Sequence, residues 1–135
     1  MERLIYVSES RIVKDEAESV LAKIVAGAET RNVELKLTGA LLFTGAHFVQ
    51  ILEGPAASIA TLLKALERDP RHANLRIVDR TPVRKRKFAE WQMAYSGPSQ
   101  FVARYVNRLI DADTPFARQK ASAWLTELAT EFSKA

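Results

Sequence analysis

Residues 35–55 read LKLTGALLFTGAHFVQILEGP. Two apolar, aromatic and β-branched runs, Leu35 to Phe43 and His47 to Glu53, flank Thr44-Gly45-Ala46, and Gly54-Pro55 ends the second. Short runs of this kind around a glycine-bearing turn predict a β-hairpin. Upstream, Arg3 to Ser8 reads as a strand, and Asp15 to Arg31 carries Ala17, Val20, Leu21, Ile24, Val25 and Ala28 on one helical stripe. Downstream, Ala56 to Asp69 is a helix with Ile59, Leu62, Leu63 and Leu66 on one face and Pro70 as its stop. Leu75 to Thr81 and Phe88 to Ser96 supply two further strands.

The expected fold class is therefore α+β, a ferredoxin-like β-α-β-β-α-β-β sheet with an extra strand. Two helices cover one face, and the other face needs a cover of its own. The last forty or so residues can provide it as a pair of C-terminal cap helices. Phe101, Val102, Tyr105, Val106 and Leu109 make one amphipathic stripe; Thr114-Pro115 starts a second helix with Phe116, Trp124, Leu128 and Phe132. The expected organisation is a sheet domain over 1–97 and a helical cap over 98–135, packed as one unit.

Composition narrows the function classes. At 135 residues, with 47% hydrophobic and 27% charged residues, the chain suits one globular domain that folds without a metal or disulfide. There is no cysteine, which removes thiolate chemistry and cysteine-rich metal sites. The sequence has neither an apolar run of membrane-spanning length nor a signal-peptide core, so a soluble, cytoplasmic protein without a membrane partner is expected. Arg80, Arg84, Lys85, Arg86 and Lys87 cluster, but no aromatic residue is interleaved with them. A solvated turn is the expectation, and no nucleic-acid partner.

Several residues sit oddly in a plain core. Gln50 lies mid-strand and shares a face with Phe48 and Leu52; Tyr6 shares a face with Leu4 and Ser8. A buried glutamine needs polar partners, since an unpaired donor or acceptor costs about 1–3 kcal/mol. Singly, each reads as structural: Tyr6 as core, Asn32 as the C-cap of the first helix, Trp91 and Met93 as alternating core, His72 as a loop residue. Together they converge. Tyr6, Gln50 and Trp91 come from three strands of one sheet, while Asn32 and His72 follow the ends of the two covering helices. A slot between those helices, apolar with a few polar groups, suits a planar heteroaromatic ligand.

On these residues the sequence resembles the BLUF family of flavin-dependent blue-light sensors. The resemblance covers residues 3 to about 96. It is carried by Leu4-Ile5-Tyr6-Val7-Ser8, Arg31-Asn32 with Leu37-Thr38-Gly39, His47 through Pro55, Asp69-Pro70-Arg71-His72, and Phe88 through Met93. It implies FAD held between the two covering helices, Gln50 as the switching amide and Tyr6 as electron and proton donor. It implies Asn32 at the polar edge of the flavin, Arg71 and His72 near its pyrimidine side, and Arg31 among the cofactor-binding residues. Ile24, Phe48 and Leu66 would pack around the ring, and Trp91 and Met93 would report the state of the glutamine. Lys36, Gln92 and Ala28 depart from the residues commonest in the family at their positions. The implied protein is not an enzyme: it is expected to pass its signal to a separate downstream protein, a cyclic-nucleotide enzyme or regulator being one candidate class. Self-association is expected because an exposed apolar stripe on a cap helix is usually covered by something. A ferredoxin-like hydrolase is the alternative from another class, but the five glycines are scattered and cradle no phosphate.

Overall fold

The computed structural model describes residues 1–97 and 99–133. The elements are β1 (Glu2–Ser10), a 3₁₀ turn at Lys14–Glu16, α1 (Ala17–Leu35), β2 (Thr38–Phe43), β3 (His47–Gly54), α2 (Ala56–Glu67), β4 (His72–Pro82), β5 (Trp91–Ser96), α3 (Gln100–Asp111) and α4 (Pro115–Ser133). The five strands lie in the order β4-β1-β3-β2-β5. The hairpin expected at residues 35–55 is β2 and β3, with Leu41 opposite Gln50. Four strands form the antiparallel ferredoxin-like sheet, and β5 adds itself parallel to β2 at the edge.

Alternation along each strand divides the core in two. Leu4, Tyr6, Leu41, Phe43, Phe48 and Leu52 face α1 and α2 with Ala28, Ile59, Leu62 and Leu66. Ile5, Val7, Ala40, Leu42, Val49 and Ile51 face α3 and α4, packing with Val102, Val106, Leu109, Ala121, Leu125 and Ala129. The C-terminal helices thus cover the second face of the sheet, and the second cluster draws residues from both sides of the 97/98 boundary. Pro98, Lys134 and Ala135 lie outside the described residues. No helix among the described residues is long and apolar enough to cross a membrane.

The details differ from the sequence reading at four places. First, α1 continues to Leu35, so Asn32 is a buried interior residue of the helix and not its cap. The helix ends on Lys36 in the left-handed conformation (φ 58°), with Leu37 N–H donating to Asn32 O at 2.8 Å and Lys36 N–H to Val33 O at 3.1 Å. This is a Schellman closure, which favours glycine at the left-handed position. Lys36→Gly is expected to stabilise the fold by about 1 kcal/mol by relieving the Cβ clash, read as a higher urea midpoint at unchanged slope. Second, β5 begins at Trp91, because the Lys87 and Phe88 N–H groups turn away to Glu53 Oε1 at 2.8 and 3.0 Å.

Third, the basic cluster is only partly a solvated turn. Arg86 Nη1 donates to Glu53 O (2.7 Å) and Thr38 Oγ1 (2.6 Å), and its Nη2 to Lys36 O (2.9 Å), pinning the loop before β5 to the end of the hairpin. Arg80 pairs with Glu2, which leaves Arg84 and Lys85 exposed without such a role in the seam. Fourth, α4 packs on small residues. Ala121, Leu125 and Ala129 meet the sheet, while Phe116 is 75% and Trp124 36% exposed. Leu128 and Phe132 reach the core in part, as expected.

Candidate functional site

Strand register sets a row of side chains across the sheet: Tyr6 on β1 is opposite Gln50 on β3, Gln50 opposite Leu41 on β2, and Leu41 opposite Met93 on β5. Period-2 alternation aims this row at α1 and α2. Tyr6 and Gln50 are buried, and the Tyr6 hydroxyl donates to Gln50 Oε1 at 2.6 Å. Burial pushes the phenol pKa well above its ordinary value; nearby Arg31 opposes this and Asp69 reinforces it. Tyr6 therefore keeps its proton at neutral pH, and one end of the Gln50 amide is committed to it.

Above this row lies a slot lined by Tyr6, Ile24, Arg31, Phe48, Gln50, Leu66, Arg71, His72 and Trp91, all expected from the sequence. Ala28, Leu41 and Asp69 complete it. Leu41 follows from its register with Gln50, and Ala28 from the apolar stripe of α1. Asp69 was legible as a neighbour of Arg71 but not as part of the wall. Asn32 borders an adjoining cleft with Lys36, Leu37 and Gln92, and Trp91 lines both cavities. Met93 is half-buried in the same apolar cluster and does not line the slot.

The polar groups around the slot fall into two sets. His72 and Arg71 are engaged. Leu66 O can only accept, so the His72 Nε2–H donates to it at 2.7 Å; in the neutral ring Nδ1 then accepts from the Ser8 hydroxyl, also at 2.7 Å. His72 is thereby a fixed wall, its ring edge-on to Phe48 at 6.2 Å between centroids. Arg71 Nε donates to Asp69 Oδ1 at 2.8 Å, within a salt bridge that also uses Nη2. Burial alone would raise the Asp69 pKa, but the hydrogen bonds from the Arg71 side chain and backbone outweigh it and hold the carboxyl below the ordinary range.

The second set is buried and unpaired. Arg31 Nε, both ends of the Asn32 amide and the Trp91 indole Nε1 have no hydrogen-bond partner. Each such atom costs about 1–3 kcal/mol unless something else satisfies it. Arg31 and Trp91 line the slot itself, and Asn32 lies in the adjoining cleft that shares Trp91. Unpaired donors with an acceptor beside them fit a planar ring that carries carbonyls and N–H groups. Flavin has that chemistry.

The comparisons decide the lineage. The family described as "BLUF: Sensors of blue-light using FAD" matches residues 1–94. The chain belongs to the BLUF family. The "Blue light- and temperature-regulated antirepressor BluF" of Escherichia coli (strain K12) is 39% identical over 78 residues, covering 56% of this chain and 19% of that protein. The "Photoactivated adenylate cyclase subunit beta-like protein FB" of Euglena gracilis is 30% identical over 103 residues, covering 76% of this chain and 12% of that one. The chain thus spans less than a fifth of these curated relatives, both of which are far longer. Solved structures of similar size also superimpose. "BlrB - a BLUF protein, dark state structure" gives a TM-score of 0.72 at 27% identity, covering 99% of this chain and 96% of that one. "BlsA photo-activated state" gives 0.77 at 19% identity, covering 96% and 94%, a likeness of fold. The ferredoxin-like α+β fold read from the sequence is that of a flavin-based blue-light sensor family.

Proposed function

We propose that this BLUF chain is a blue-light photoreceptor that binds FAD non-covalently and signals to a separate protein. The observation that carries the reading is the buried Tyr6–Gln50 hydrogen bond of 2.6 Å facing a slot edged by unpaired polar atoms. Asn32, Arg31 and the Trp91 indole would hold the polar edge of the ring, and Ile24, Phe48, Leu66 and His72 would form its walls. Bound there, the flavin supplies the blue absorption and, on excitation, an electron-accepting site.

The rest is the work of this chain. On excitation the Tyr6 phenol would give its electron to that site, and its proton would follow to the same acceptor by way of the Gln50 amide, which would leave Gln50 Oε1 without its donor. The amide has a donor end and an acceptor end, so it rearranges for a few hydrogen bonds of about 1 kcal/mol net each. That is enough to bias an element with two arrangements. A new N–H donor toward the slot lowers the excited state more than the ground state, so absorption moves to the red. When the electron and the proton both return, Tyr6 would again donate to an acceptor, and the dark arrangement would be restored.

The sheet itself offers the path outward. Val49 and Ile51 flank Gln50 and point to the opposite face, where they pack in one cluster with Val102, Val106, Leu109 and Leu125 of α3 and α4. Tyr105, half-buried against that cluster, meets Trp124 edge-on at 6.4 Å, Arg108 lies 5.1 Å from the Trp124 ring, and Phe101 is 54% exposed. An aromatic and cationic surface of this kind suits a partner or a second copy of the chain, so signalling through the C-terminal helices and self-association are part of the proposal.

The purified chain should be yellow, release FAD on heating, and show a reversible red shift under blue light. A colourless protein that takes up no added FAD sinks the reading. Amide exchange within 100–111 and 115–133 should differ between dark and light; identical exchange would exclude the C-terminal route.

A further inference from the structure

Asp69 has no part in the light reaction as described so far, yet its carboxylate is the most heavily bonded group of the slot. It follows α2, with its N–H donating to Leu66 O at 3.1 Å, the carbonyl that also receives His72. Its Oδ1 accepts the Arg71 backbone N–H at 3.0 Å and Arg71 Nε at 2.8 Å, and Oδ2 accepts Nε at 3.0 Å and Nη2 at 2.5 Å. The turn is tied down from its far side as well, since Arg11 N–H donates to Arg71 O at 2.9 Å. Both residues line the slot.

A guanidinium is planar and carries five N–H donors in a fixed fork. With the Nε and Nη2 edge closed on Asp69, the remaining N–H groups point away from the carboxylate in one plane. The Arg71 side chain is 39% exposed and that of Asp69 17%, so the arginine lies at the mouth with the carboxylate behind it. A long side chain at such a mouth would otherwise sample many rotamers, and each ordering step on binding would weaken affinity. We propose that Asp69 is a positioning residue, which holds one edge of the Arg71 guanidinium and thereby presents the opposite edge to an oxygen acceptor of the flavin nucleotide. This rests on the flavin-binding reading above. The acceptor is a ring carbonyl or a phosphate oxygen, and the same donors suit either.

The test is a double-mutant cycle on the full chain, titrated with FAD in the dark: wild type, Asp69→Asn, Arg71→Met and the double variant. Asp69→Asn should weaken FAD by about tenfold, as expected for loss of one charge-assisted support. The double variant should be no weaker than Arg71→Met alone, because Asp69 acts through the arginine. The flavin absorption maximum of Asp69→Asn should move toward that of Arg71→Met, a signature a purely structural carboxylate would not give. Asp69→Glu keeps the charge on a longer stem and should recover part of the affinity; it also serves if the asparagine variant does not fold. Repeating the cycle with riboflavin separates the two acceptors: coupling that persists assigns the ring, and coupling that vanishes assigns a phosphate. Wild-type affinity in Asp69→Asn, or losses that add in full in the double variant, overturn the proposal. A wild type that takes up neither flavin overturns the flavin-binding reading itself.

Discussion

Gln50→Leu is expected to abolish the reversible red shift while leaving the flavin bound. Gln50 is 3% exposed, and its Oε1 is the acceptor for Tyr6. Leucine keeps the approximate volume and the strand, so the apolar walls from Ile24, Phe48 and Leu66 still close on the ring. What it removes is both ends of the amide, and with them the only rearrangement proposed. The Tyr6 hydroxyl is left without its acceptor inside the core, which should cost about 1–3 kcal/mol of stability. Dark-minus-light difference spectra of wild type and variant, with the bound flavin quantified, check this. An unchanged light response would overturn the assignment of Gln50.

The largest expected stability effect lies on the opposite side of the sheet, at Glu53. Its side chain is fully buried; Oε2 accepts Arg3 Nη2 at 2.7 Å and Nε at 3.1 Å, and Oε1 accepts the Lys87 and Phe88 N–H groups. One carboxylate therefore joins β1, the end of β3 and the loop that delivers Trp91. Glu53→Ala leaves a partly buried guanidinium and two backbone donors unpaired. Removing one partner of a buried ion pair costs about 3–5 kcal/mol. That is a large share of the roughly 5–15 kcal/mol that holds a domain together. It should lower Tm by roughly 10–20 °C for a chain of this length. Glu53→Gln retains an oxygen for the two N–H groups and should lose only about 1–2 kcal/mol. Thermal and urea unfolding of the two variants measure the difference. A loss below 1 kcal/mol in Glu53→Ala would show that the seam is held by Arg86 alone.

Much of this architecture was legible because it rests on local periodicity. The strand faces follow from alternation at Tyr6 and Gln50, and the helix faces from spacing at Ile59, Leu62 and Leu66. Boundaries were less legible. Leu35 is as apolar as a strand residue, and although Lys36 stands out as a departure from the family, local pattern does not show that it takes the left-handed turn. The stripe on α4 misled because Phe116 and Trp124 have core-like side chains, yet the face that meets the sheet is the one carrying Ala121, Leu125 and Ala129. Glu53 shows the same limit: it ends an apolar strand, and its partners at Arg3, Lys87 and Phe88 are 34 or more positions away.

The sequence by itself determined the order of elements, the two faces of each strand and most of the residues gathered at the slot, Asp69 excepted. Periodicity is a property of neighbours, and the family motifs are short enough to read along the chain. Tertiary structure alone decided which of those polar groups are paired and which are left open. His72 and Arg71 carry the same kinds of donor as Asn32 and Trp91, but Ser8, Leu66 and Asp69 occupy the first two while the core leaves the others unsatisfied. Hydrogen bonding depends on distances of a few tenths of an ångström between residues far apart in sequence, and those are set only when the sheet and its four helices pack together.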